Sequence, residues 1–236
     1  MEGEALPARL TMEKPSVLFG KARRIHQTEG MAALVKQGLA FVLWSFFEYR
    51  AYWLHEYALE NLRGVNEADF APRIDHAELK IVGSNDEANQ LEAEGFEFRS
   101  QIPNATRMLD SGAIAFCIFV GHEIANIGWV AFSQQAMDSL PDPPLKVDFT
   151  SKEACGGAIW TSPKYRRNGF RLYNRYKRFE FLLEKGFVVN RSAIAKKNMV
   201  AQSGLGRFPP TITYAEGRYL RILWWKSWRE KRLPQG

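Results

Sequence analysis

Apolar positions fall along this chain in two rhythms. From Gly20 to about Asn61 they are dense and helical: Leu34, Val35, Leu39, Val42, Leu43, Phe46, Phe47, Tyr49, Tyr52, Trp53 and Tyr57, with no proline among them. A helix gathers such positions on one stripe, so an N-terminal helical extension is predicted over 20–63. Gly30 and Gly38 are places where it divides. Arg63-Gly64 is its predicted stop, because glycine accepts the left-handed conformation that ends helices. Residues 1–19 carry Pro7 and Pro15 and read as a flexible leader.

Beyond a connector at 64–74 the rhythm alternates. AELKIVGS (77–84) reads as a strand and NDEANQLEAEG (85–95) as a helix with an acidic first turn, which suits the helix dipole. AIAFCIFVG (113–121) and IANIGWVAFS (124–133) form a hairpin turning at His122-Glu123, and PDPP (141–144) marks a loop. EACGGAIWT (153–161) is a strand. The stretch 170–185 is a helix with Leu172, Tyr176, Phe179 and Leu183 at helical spacing, and 187–194 is a strand. A short helix at 198–206 and a hairpin at 212–225, turning at Glu216-Gly217, precede a basic tail. Strands and helices in this order predict an α/β (α+β) domain over 75–230, a mixed sheet with helices on its faces.

The chain has 236 residues, of which 46% are hydrophobic and 25% charged, enough for a packed core and against wholesale disorder. Its 32 basic and 26 acidic residues leave a net charge of +6, a mild bias that fits an anionic small ligand, an anionic membrane or nucleic acid without choosing. Cys117 and Cys155 sit in apolar runs and read as buried thiols of a reducing compartment. The histidines lack metal-ligand spacing, so no metal is expected. The N-terminus does not read as a secretory signal. The most apolar stretch, 38–47, is far shorter than the roughly 20 residues that a spanning helix needs. A cytoplasmic protein is the expectation, with peripheral membrane attachment left open.

One segment carries chemistry: WTSPKYRRNGFR, 160–171, where a strand hands over to a helix. The first turn of a helix leaves backbone N–H groups unpaired, and with the dipole these make an anion site. Gly169 lets the chain turn sharply, Asn168 tolerates positive φ, and Arg166, Arg167 and Arg171 crowd the same spot with positive charge. A phosphate or diphosphate is the guest that suits it, although most basic strand–helix turns are only surface turns.

SPKYRRNGF resembles motif A of the GNAT superfamily of N-acetyltransferases, roughly V-x-P-x-Y-R-x-x-G-x-G/A. Thr161, Pro163, Tyr165, Arg166 and Gly169 fall on it. IAKKNMVAQSGLGRF, 194–208, resembles motif B, with Asn198 and Ala201 in matching places. The resemblance covers about 77–228 and implies a GNAT-like, mainly antiparallel sheet. It implies acyl-coenzyme A as co-substrate, its diphosphate held at Arg166, Arg167, Asn168, Gly169, Phe170 and Arg171, and its pantetheine arm along the strand at Ile159 and Thr161, with Asn198 beyond. Two departures stand out: Arg171 replaces a small residue, and no tyrosine lies between Asn198 and Phe208 to protonate a leaving thiolate.

Acyl transfer to an amine needs a base. Glu153, which begins the strand before the motif, is the candidate; Asp148 and Glu123 are alternatives, and a solvated strand-end glutamate is the competing reading. The expected reaction moves an acyl group to an amine on a small molecule, such as an amino sugar or cell-envelope metabolite. The extension is open to three roles: a lid over the sheet, a homodimer interface, or contact with an anionic membrane through residues 20–57. The rival expectation is a non-catalytic binding protein of the same fold, serving a membrane or nucleic acid; for the acyltransferase, nucleic acid is not an expected partner.

Overall fold

The structure, a computed structural model, describes residues 47–234. Its strands are β1 (Phe47–Ala58), β2 (Ala77–Val82), β3 (Ile114–Val120), β4 (Glu123–Ala131), β5 (Glu153–Thr161), β6 (Val189–Ala195), β7 (Ile212–Ile222) and β8 (Trp225–Arg232). Its helices are α1 (Asn85–Ala93), α2 (Ala105–Asp110), α3 (Gln134–Ser139), α4 (Phe170–Glu184) and α5 (Met199–Ser203). The strands hydrogen-bond in the order β2-β3-β4-β5-β6-β1-β7-β8. The pairs β2–β3, β3–β4, β4–β5 and β6–β1 are antiparallel and β5–β6 is parallel. The mixed, mainly antiparallel sheet with helices on both faces is as the pattern predicts.

Contacts divide the described residues into two units, Arg50–Tyr219 with residues 227–234, and residues 47–49 with Leu220–Lys226. In the smaller one, Arg221 Nε donates to Glu48 Oε2 at 3.0 Å, and Leu223 turns the chain at φ 56°.

Three expectations are corrected. Residues 20–46 of the predicted helical extension lie outside the described residues, as does the leader. The part that is described, 47–58, is a strand: Tyr52 and Leu54 bury on one face, His55 and Tyr57 on the other. The aromatics at 49, 52, 53 and 57 satisfy a helical stripe, but they are also good strand formers, and register with β6 decides between the two. The final hairpin does not turn at Glu216-Gly217; β7 runs through it, and the Trp228 ring fills the space a side chain at 217 would need. The basic tail is strand β8.

Side chains alternate across β3, and each set finds a cover. Ala115, Cys117 and Phe119 pack with α1, α2 and α3; Phe116 packs with Tyr176, Phe179 and Leu182 of α4. With both faces covered, β3 and β4 read as continuous apolar runs. Both cysteines are buried free thiols.

The helix α4 reaches its face of the sheet through polar side chains. Asn174 Nδ2 donates to Phe116 O at 2.7 Å, Arg178 Nε donates to Asn174 Oδ1 at 2.9 Å, and Arg178 Nη1 to Trp129 O at 3.2 Å. A Cβ at Gly128 would lie 2.5 Å from Asn174 Oδ1 and 2.9 Å from Arg178 Nε. Gly128 is the notch that lets them in.

The parallel pairing is short: Glu153 with Val189, Ala154 with Asn190, and Cys155 with Arg191. An ion pair pins it. Arg191 Nε lies 2.6 Å from Glu153 Oε2 and Nη2 2.7 Å from Oε1, while Nη2 also reaches Glu56 Oε2 at 3.0 Å. Past Cys155 the register of β5 and β6 ends.

Gly128→Ala should destabilise the fold by roughly 2–3 kcal/mol, because the methyl must displace two bonded polar groups. Gly206→Ala, which meets nothing within 4 Å, should change it by under about 1 kcal/mol in chemical denaturation. Glu153→Gln should cost roughly 2 kcal/mol at pH 7. The folded pKa of Glu153 lies below its ordinary value, so its contribution is present above the unfolded pKa and is lost as pH falls through the folded one. Wild type and Glu153→Gln should therefore converge in urea titrations as pH falls below the folded pKa of Glu153.

Candidate functional site

The turn between β5 and α4 is built by its own anchors. Ser162 N donates to Ala125 O at 3.0 Å, and Pro163–Tyr165 form one tight helical turn. The Tyr165 ring is buried with Phe170, Ile118 and Ala125, and its hydroxyl donates to Glu123 Oε2 at 2.7 Å. Lys164 Nζ also reaches Glu123 Oε2, at 2.6 Å. These bonds, first from Lys164 and then from Tyr165, hold the Glu123 carboxyl below its ordinary pKa. Glu123 thus braces the turn.

Next the backbone coils. Arg167 takes φ 67° and Gly169 φ 86°, and Gly169 is the residue before the first helical one. Asn168 ties the coil: its Nδ2 donates to Tyr165 O, and its own carbonyl accepts from Arg73 N at 2.9 Å. Leu172 N and Tyr173 N both bond Gly169 O, so they are satisfied. The amides of Arg167, Asn168, Gly169, Phe170 and Arg171 have no acceptor among the described residues. A turn with positive φ at alternate residues, opening a 15-residue helix, is a nest of free donors at a positive dipole end.

The side chains predicted here divide. Arg166 and Arg167 are exposed and Phe170 is buried. Arg171 turns away from the coil: Nη1 donates to Val200 O at 3.1 Å and Nη2 to Ala201 O at 3.2 Å, latching α5 to α4. Burial and then the charge of Arg175 bring its pKa down to about 10. Asn198 caps α5, its Oδ1 accepting from Ala201 N at 2.9 Å.

On β5, Asn126 Nδ2 donates to Trp160 O and to Thr161 Oγ1, each at 2.8 Å. Register with β4 passes from Trp160 opposite Ile127 to Gly157 opposite Trp129, so Ala158 and Ile159 form a bulge, with Ala158 at φ 47°. Beyond Cys155 this strand pairs with β4 alone among the described residues, leaving Ile159 and Thr161 on an open edge.

Glu153 is not a free carboxylate. Burial pushes its pKa up, but the Arg191 hydrogen bonds, the Asp148 amide and the Arg191 charge outweigh that and leave it lowered. A group so held is a poor base, and the ion pair gives it a structural task. Asp148 is likewise occupied, capping a short turn with bonds from Thr150 and Ser151 that lower its pKa to about 2.

The sequence reading passed over another carboxylate. Asp142, in the PDPP loop, tucks against Gly157, and its Oδ2 accepts from Ala158 N at 2.5 Å. Burial raises its pKa to about 6, against the opposing pull of the Ala158 N–H and the Arg178 charge. The only advance signal was the pair of glycines at 156 and 157. Also missed was the polar stripe of Asn174, Arg175 and Arg178 on α4. Among the described residues no cluster of three metal-ligating side chains occurs, and no helix is long and apolar enough to cross a membrane.

No family model matches the chain, and no curated protein matches it. Among solved structures it is similar to a conserved protein of unknown function from Staphylococcus epidermidis, at 10% identity and TM-score 0.42, covering 95% of this chain and 67% of that one. It is similar to the C-terminal domain of a putative lysylphosphatidylglycerol synthetase from Agrobacterium fabrum, at 15% identity and TM-score 0.39, covering 70% and 54%. It is similar as well to a tandem GNAT protein from the clavulanic acid biosynthesis pathway, at 11% identity and TM-score 0.39, covering 78% and 54%. This chain thus spans about half the length of the latter two.

Proposed function

We propose that the chain is a GNAT-type N-acyltransferase that moves an acyl group from an acyl-coenzyme A thioester to an amine on a small polar acceptor. The observation that carries this reading is the run of unpaired amides from Arg167 to Arg171 at the start of α4. Such a nest fits a diphosphate. The edge of β5 at Ile159 and Thr161, past the end of its pairing with β6, suits an extended amide-bearing arm that pairs as a strand would.

The amine nitrogen attacks the thioester carbonyl, the C–N bond forms, and the C–S bond breaks with its electron pair leaving on sulfur. The nucleophile must shed a proton. Asp142 is the base in this proposal, in place of Glu153: its pKa of about 6 is close to neutral, where a base works best.

One observation favours a second reading, a binding protein without catalysis. The amide of the bulge residue Ala158 is already held by Asp142 and is not free to receive a carbonyl oxygen.

Acetyl- or longer acyl-coenzyme A should raise the melting temperature of the wild type, and Gly169→Asp should abolish the shift. Aspartate reaches positive φ at a cost in strain, so the unliganded melt of the variant is the control for the turn, and its carboxylate places a negative charge in the nest. A wild type indifferent to every thioester would refute the acyl-donor assignment. For Asp142, the folded pKa of about 6 stands above the ordinary aspartate value, so its contribution to stability is full below the unfolded pKa and is lost as pH rises through the folded one. Asp142→Asn should therefore gain stability relative to wild type at pH 8 and match it near pH 4, by thermal melts. It should also slow acylation by about 10²-fold or more; an unchanged rate would remove Asp142 from the reaction.

A further inference from the structure

Helix α4 carries Arg171, Arg175 and Arg178 at intervals of four and three residues, one stripe of the helix. Arg175 and Arg178 are 4% and 2% exposed. Buried arginines are ordinarily paired with carboxylates. These are not: every hydrogen bond they donate goes to a neutral oxygen. Arg171 binds Val200 O and Ala201 O, Arg175 Nη1 binds Phe208 O at 3.4 Å, and Arg178 binds Asn174 Oδ1 and Trp129 O. Arg175 otherwise rests on the Tyr57 ring, 5.4 Å from its centre. The nearest opposing influence is Asp142, which acts on Arg178 through space.

The strand facing the stripe has an orphan of its own. His55 is 2% exposed; its Nδ1 bonds Thr213 Oγ1 at 2.9 Å, and its Nε2 has no partner. The Arg175 charge bears on this ring after burial does, and together they keep it neutral at neutral pH.

We infer that Arg171 and Arg175, backed by Arg178 and faced by His55 and Tyr57, form an anion-binding site for a phosphate or diphosphate group, distinct from the amide nest. An oxyanion offers the guanidinium groups bidentate, charge-assisted bonds in exchange for the neutral carbonyls of 200, 201 and 208. Those carbonyls all lie on α5 and the segment after it, so the ligand enters by displacing that cover. The inference does not depend on the thioester reading.

The test is isothermal titration of the folded chain with inorganic pyrophosphate at ionic strength held constant with chloride, in wild type, Arg175→Gln and Gly169→Asp. Wild type should bind, and Arg175→Gln should bind at least about tenfold more weakly. Absence of binding by wild type, or equal binding by wild type and Arg175→Gln, overturns the inference. If Arg175→Gln fails to melt cooperatively, Arg171→Gln, at the less buried end of the stripe, is judged by the same criterion. Coenzyme A is the second probe. Coenzyme A affinity that requires Gly169 supports the donor assignment, whereas pyrophosphate affinity that requires Gly169 but ignores both arginines overturns this one. Pyrophosphate binding that depends on Arg175, with no affinity for coenzyme A, supports this one and sinks the donor assignment.

Discussion

A guanidinium lies against the middle of the sheet, and the sheet is notched to receive it. Arg178 is fully enclosed, and burial, then the neighbouring arginines, bring its pKa down to about 9, which still leaves it charged at neutral pH. Such a charge is costly to bury without a hydrogen-bonded seat. The seat is Trp129 O and Asn174 Oδ1, and it exists because Gly128 and Gly156 have no side chains; a Cβ at Gly156 would stand 3.0 Å from Arg178 Nη1. This contact sets where α4 lies on the sheet. The position of the first turn of α4, and so of its unpaired amides, follows from it.

From that seat the remaining features line up along one helix. At the start are bare N–H groups in a coil braced by Glu123 and Asn168. Along its inner side are three positive side chains answered mainly by carbonyls. Arg171 belongs to both: its amide joins the nest, while its side chain holds α5. A large residue is accommodated at the start of the helix because its guanidinium is drawn to the carbonyls of α5.

Local patterns are legible where one chemical rule governs. The β3–β4 hairpin, the span of α4 and the glycine-centred turn are readable because apolar alternation, helical spacing and positive φ each leave a local mark. Strand β1 is not readable that way: its aromatics meet helical and strand periodicity equally, and only pairing with β6, more than a hundred residues on, chooses. The interior arginines were hidden for a similar reason. Asn174, Arg175 and Arg178 sit at positions a hydrophobicity pattern assigns to water, and the burial of Asn174 and Arg178 depends on glycines in β4 and β5. Glu153 looked available because Arg191, its partner, arrives from β6. Asp142 was unreadable because a loop carboxylate gains meaning only from the bulge it plugs.

The two rims of the sheet are strands with one unpaired side each, β2 and β8. On β2, Lys80 pairs with Glu78 beside it; on β8, Arg229, Glu230, Lys231 and Arg232 follow one another. A strand arriving from another molecule would have to desolvate these charges before its backbone could bond. The borders therefore resist growth by strand addition, and self-association, where it occurs, is steered to surfaces other than the sheet's margins.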